Sequence, residues 1–124
     1  MPQYAIFLYA DFDRPSSDVQ PGEREEHEAF SDELMSEGNM RAAIVLEDVT
    51  TATSLRADVI SDGPFVEAKE AIAGLFILDA DDLDEAIATA RRNPILLQGG
   101  GLEIRPISGF GVWPKDYDGA PFRW

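Results

Sequence analysis

An α+β fold is predicted by this sequence, on three observations. Short runs rich in apolar and β-branched residues alternate with two segments whose apolar side chains recur at three- and four-residue steps. Gly, Pro, Asn and Asp punctuate the joins between them. With 124 residues, the chain can bury one core and is too short for two.

The first run, residues 4–9, is aromatic and apolar throughout and reads as a strand with both faces at least partly covered. Residues 11–22 hold Pro15, Ser16, Ser17, Pro21 and Gly22 and read as loop. A helix follows from Glu23, with His27, Phe30, Leu34 and Gly38 along one face and Gly38-Asn39 as a left-handed stop. Residues 42–46 and 54–60 are predicted as two strands, with a threonine-rich connection between them. After the Asp62-Gly63-Pro64 turn, residues 71–78 form another strand, in which Gly74 marks a bulge or a close neighbour. The second helix is capped by Asp81 or Asp82, with Asp84 and Glu85 favourably placed in its first turn. Leu83, Ala86, Ile87 and Ala90 make its buried stripe, Arg91 and Arg92 suit its C-terminal end, and Asn93-Pro94 stops it. Residues 102–107 are the last strand.

Strand, helix, strands, helix, strand is the order of a ferredoxin-like split β-α-β subunit. Both helices then lie on one face of a single sheet, and a second copy of the chain is expected to cover the other. The domain is expected to occupy residues 1–107. Beyond it, residues 108–124 carry Phe110, Trp113, Tyr117, Phe122 and Trp124 among glycines and prolines, and this tail is expected to dock on its own domain or on a partner subunit.

Charge narrows the function classes. There are 24 acidic residues against 10 basic ones, for a net charge of -14 and a pI near 4.2. Such a surface repels duplex nucleic acid and anionic membranes, so no direct binding to either is expected. With no cysteine, the chain has no disulfide, no thiol redox chemistry and no thiolate metal site. No signal peptide and no membrane-spanning run is legible, so a cytoplasmic location is expected.

His27 is the only histidine. One reading makes it a hydrogen-bonded residue at the edge of the core. The other makes it a general base or acid, which requires a nearby carboxylate to orient the ring and fix its tautomer, leaving the other nitrogen free. Asp62 is a candidate for that carboxylate, although Asp-Gly-Pro is also explained by turn formation alone. Arg56 and Lys69 are candidates for holding an anionic group, and a solvated strand edge is the plain role for Glu67, Lys69 and Glu70. Gly99-Gly100-Gly101 lacks the strand before and the helix after that a phosphate loop needs, and reads as a flexible connection. No pair of histidines stands at metal-ligand spacing and no dinucleotide fingerprint occurs, so neither metal nor cofactor is expected.

The run Asp62-Gly63-Pro64-Phe65-Val66-Glu67-Ala68-Lys69-Glu70 resembles the motif that names the DGPF group of the YCII-related family. The likeness continues through Thr51-Ala52-Thr53-Ser54-Leu55-Arg56, Gly74-Leu75-Phe76-Ile77-Leu78-Asp79, Leu83-Asp84-Glu85-Ala86 and Gly101-Leu102-Glu103-Ile104-Arg105-Pro106-Ile107, covering residues 3–107 in order. The resemblance implies a dimeric α+β barrel in which two ferredoxin-like subunits bring their sheets together. It also implies a histidine and aspartate at a site, at positions matched here by His27 and Asp62. It attaches no settled reaction, but it does imply an association with alternative sigma factors, so that a protein partner in transcription stands beside a small-molecule ligand. The chain departs from the family pattern at residues 56–61, which are shorter than the usual hairpin before the motif, and in its aromatic tail. The sequence thus predicts a homodimer with a cleft where Asp62 orients His27 to move a proton on a small polar ligand. A non-enzymatic regulatory protein, or a small-molecule binder without chemistry, is the alternative.

Overall fold

The computed structural model describes residues 2–11, 14, 16–63, 70–113, 115–116 and 119. β1 (Gln3–Asp11) runs through the middle of a four-stranded antiparallel sheet, with β5 (Glu70–Asp79) on one side and β6 (Gly101–Pro106) on the other. β2 (Met40–Val45) pairs with the outer edge of β5, which gives the order β2-β5-β1-β6. The strand pattern of period two sorts the sheet residues onto its faces. Tyr4 and Ile6 of β1 and Phe76 and Leu78 of β5 share one face and form the core, with the half-buried Leu8, Leu102 and Ile104 packed against it. Ala5, Phe7 and Tyr9 point the other way, level with Ile77, Leu75 and Ile72 across the β1–β5 ladder.

Both helices pack on the first face. Phe30 and Leu34 of α1 (Glu23–Glu37) and Ala86 and Ala90 of α2 (Leu83–Ala90) all join the same core cluster, as their helical spacing predicts. Gly22 and Gly38 bound α1 in left-handed conformations at φ 91° and 79°, and the Gly38 amide closes the last turn on the Met35 carbonyl. Of the two acids expected at the start of α2, Asp82 is the cap. Its Oδ1 accepts from the Glu85 amide at 2.8 Å, while Glu85 Oε2 accepts from the Asp81 amide at 2.9 Å. Arg92, just past the end of α2, ties that helix to α1. Its guanidinium contacts Glu33 and Glu37 at 2.7 and 2.8 Å and lies 6.0 Å from the Phe30 ring centroid.

One predicted strand is a hairpin instead. Residues 54–60 do not run straight: β3 (Thr53–Arg56) turns at Ala57-Asp58 and returns as β4 (Val59–Asp62). Ala and Asp are both poor strand formers, and Ala57 takes a positive φ of 48°, which reverses the chain. These strands form a two-stranded sheet separate from the main one. Leu55, Val59 and Ile60 are therefore exposed.

Gly74 meets both of its expectations. The β1–β5 register shifts opposite it, between Leu8 and Tyr9, and a Cβ at 74 would come within 2.5 Å of the Ile44 carbonyl oxygen. The triple glycine, by contrast, is more than a flexible connection. Gly99 turns at φ 82°, and Gly100 is pressed between β1 and Ile95. After β6, the Ile107 amide donates to the Gln3 carbonyl, and Phe110 and Trp113 remain partly exposed. Tyr117, Phe122 and Trp124 lie outside the described residues. Among the described residues no helix is long and apolar enough to cross a membrane.

Candidate functional site

A cavity of about 560 Å³ opens between α1, the sheet and the 3-10 turn Pro94–Leu97. Its walls are mainly apolar, with Leu8, Phe30, Leu34, Ile44, Phe76 and Ile95 among them. Polar groups are few: Asp11, Arg14, Arg24, Ser31, His27, Asn93 and Gln98. An apolar concavity with a small set of converging polar groups has the make-up of a small-molecule site, and this volume lies in the usual range.

Local structure explains why His27 faces it. One turn before Phe30 and two before Leu34, the imidazole lies on the inward stripe of α1, beyond the point where the core closes. The 3-10 turn supplies the opposite wall. Buried Asn93 caps it by accepting from the Ile95 amide at 2.9 Å, Pro94 sets its first residue, and the Gln98 amide closes it on the Ile95 carbonyl at 3.0 Å. Gln98 is thereby brought across to α1, and His27 Nε2 lies 2.8 Å from Gln98 Oε1.

That contact has a chemical consequence. With the amide oxygen as acceptor, Nε2 carries the ring proton and Nδ1 keeps a lone pair, so the neutral imidazole is held in the tautomer of a base. The other end of the same amide is unsatisfied: Gln98 Nε2 is buried and has no hydrogen-bond partner among the described residues.

An ion pair secures the mouth. Arg14 donates through both terminal nitrogens to Glu23, at 2.6 and 2.5 Å, and also to the Asp18 carbonyl at 2.7 Å. Glu23 Oε2 accepts in addition from the Gln20 amide at 2.8 Å. The Arg14 guanidinium, aided by that amide, holds the Glu23 carboxyl down at about 2 from its ordinary 4.5, and the Arg14 pKa is raised in return. Because the folded value is depressed, the pair stabilises fully above pH 4.5 and loses that contribution as pH falls towards 2. In urea unfolding, the stability gap between the wild type and Glu23→Gln is expected to be constant above pH 5 and to close below it. A gap independent of pH would show that the carboxylate charge does not matter there.

The residues singled out in the sequence do not all meet. His27 lines the cavity. Asp62 does not: it lies exposed at the end of β4, opposite Thr53, and among the described residues no hydrogen bond links it to His27. Arg56 is exposed on β3, paired with Val59, and also lies off the cavity wall. Lys69 and the rest of residues 64–69 fall outside the described residues. Gln98 was missed. The signal available was a single amide closing the run Pro94-Ile95-Leu96-Leu97, where Asn93-Pro94 forces a tight turn.

A second polar cluster sits at the far end of β5. Asp79 is 6% exposed and accepts from Arg41 Nε at 2.5 Å and from Gln3 Nε2 at 3.1 Å. Burial pushes its carboxyl up, but Arg41 and Gln3 together hold it below the ordinary value. This cluster joins β1, β2 and β5 and does not line the cavity.

The family model of the YCII-related domain matches residues 3–111. An uncharacterised protein of Rhizobium meliloti (strain 1021) is 30% identical over 120 residues, an alignment that covers 85% of this chain and 91% of that protein.

Proposed function

The chain belongs to the YCII-related domain family, and from that membership we propose a homodimeric, ferredoxin-like protein in which His27 moves a proton on a small ligand held in the α1–sheet cavity. The observation that carries this reading is the His27–Gln98 contact of 2.8 Å at the cavity wall, because it orders the ring in the tautomer of a base. In this proposal Gln98 holds the ring, and Asp62, at the end of β4 opposite Thr53, takes no part in the step. No metal or cofactor takes part in the step.

The sheet order β2-β5-β1-β6, with both helices on one face, supports the ferredoxin-like assignment. Among the described residues no helix lies over the face bearing the half-buried Phe7, Tyr9 and Leu75, and two such faces brought together bury it in a dimeric α+β barrel. Sedimentation equilibrium is expected to give twice the 13.6 kDa subunit mass, and a folded wild-type monomer at micromolar concentration would rule the barrel out.

Proton transfer is read directly by exchange. Incubated in deuterium oxide with 4-phenylbutan-2-one, the wild type is expected to speed loss of the α-carbon proton signals in the NMR spectrum. His27 Nδ1 takes the α-proton, leaving an enolate. The proton exchanges with solvent and a deuteron returns to the carbon. His27→Ala is expected to slow this by about 10²–10⁴-fold, the usual worth of a positioned base. Equal rates in the two proteins would remove the catalytic role.

A further inference from the structure

We propose that Gln98 selects the ligand: its side-chain Nε2 is the receptor for an acceptor oxygen, carbonyl or carboxylate, on a small molecule with an apolar body. This rests on the reading of the cavity as the ligand site and extends it to a substrate class.

The reason is a mismatch of satisfaction within one side chain. Gln98 Oε1 is engaged by His27 at 2.8 Å, whereas Nε2, on the same planar amide, is buried with no partner among the described residues. A buried donor left unmade is costly, so such a group in a native structure calls for a partner. The residues around it do not supply one. Asn93 spends its Oδ1 on the Ile95 amide, and Glu23 spends its carboxylate on Arg14 and the Gln20 amide. An amide nitrogen has only protons to give, so whatever completes it must present an acceptor.

The rest of the wall defines the remainder of the molecule. Leu8, Phe30, Ile44, Phe76 and Ile95 offer no hydrogen-bonding side chains, and about 560 Å³ leaves room for a ring or a branched chain beyond the polar head. A buried donor of this kind discriminates strongly, because an analogue without the acceptor leaves it unpaired. One amide thus serves two tasks: its oxygen sets the His27 tautomer and its nitrogen places the ligand oxygen beside that ring.

Three probes of similar size separate the outcomes: 4-phenylbutan-2-one, 3-phenylpropanoate and 3-phenylpropylamine. Affinities are measured by titration at pH 7.5, following the Gln98 side-chain amide signals by nitrogen-15 NMR. The ketone, the carboxylate or both are expected to bind wild type and shift the Gln98 amide signals, while the amine binds at least about tenfold more weakly. Which of the first two binds tighter identifies the oxygen. Gln98→Glu keeps an acceptor for His27 but removes the donor, and is expected to lose at least about tenfold in affinity for the oxygen-bearing probes. Gln98→Met, whose fold is checked by circular dichroism, is expected to lose as much. Binding of the ketone and the carboxylate unchanged in both variants, a preference for the amine, or no binding of either oxygen-bearing probe at millimolar concentration would each overturn the proposal. Failure of the proton-transfer reading looks different: His27→Ala then exchanges protons as fast as wild type while the preference for oxygen-bearing probes persists.

Discussion

Leu78→Ala is expected to lower the free energy of unfolding by about 2–5 kcal/mol, towards the upper end of that range. Leu78 is 1% exposed in β5, one of the two inner strands of the sheet, with Tyr4 opposite on β1 and Met40 opposite on β2. A hole made there is enclosed by strands that hydrogen bond on both sides and cannot close in, so both the lost burial and the lost contacts are felt. Leu34→Ala is the instructive comparison. Leu34 is also 1% exposed, but it borders the α1–sheet cavity, and truncation there enlarges an existing opening rather than creating a sealed one. It is expected to cost less than Leu78→Ala, nearer about 2 kcal/mol. Urea unfolding at pH 7 and a single protein concentration measures both, the concentration being fixed so that any self-association contributes equally. The reverse order would mean that the cavity is closed when the protein is in solution.

Gly100→Ala is expected to destabilise by about 1–3 kcal/mol and, unlike the core truncations, to disturb the site directly. A Cβ at position 100 would lie 2.4 Å from the Tyr9 carbonyl oxygen and 2.6 Å from Ile95 Cγ1. Tyr9 belongs to the β1 backbone, paired on both sides, so Ile95 and its turn must yield. That turn ends in Gln98, and moving it pulls the amide off His27. The expected signature is a lowered unfolding midpoint together with a changed His27 ring signal in NMR. Gly101→Ala is the control: nothing stands within 4 Å of its Cβ, so a change within about 0.5 kcal/mol is expected. If both substitutions are equally mild, the approach of Gly100 to β1 is not a constraint on the fold. Of the three neighbouring glycines, Gly99 is required by its turn and Gly100 by its close approach, while nothing near position 101 requires a glycine.

How much was legible follows from the range of each interaction. Amphipathic spacing is local, so α1 and its inward face of His27, Phe30 and Leu34 could be read before any contact was known. The same holds for the stop at Gly38 and for the α2 cap, which the sequence narrowed to Asp81 or Asp82 and the structure places at Asp82. The hairpin at residues 53–62 was misread because Ser54-Leu55 and Val59-Ile60 are strand-like on both sides of Ala57, and the reversal rests on one positive φ that alanine rarely adopts.

The site shows the division most clearly. Periodicity, punctuation and the order of the elements were enough for an α+β chain with both helices on one face of one sheet, and for an imidazole turned inward, because both follow from which side chains avoid water. They could not supply the ring's partner. Gln98 lies 71 positions from His27, and it reaches the ring because α1 and the Pro94–Leu97 turn pack on the same end of the sheet. Asp62, the more reactive-looking residue on paper, is carried away by a hairpin that pairs with itself. Hydrogen-bond partners distant in sequence are chosen by three-dimensional packing, and no pattern along the chain records that choice.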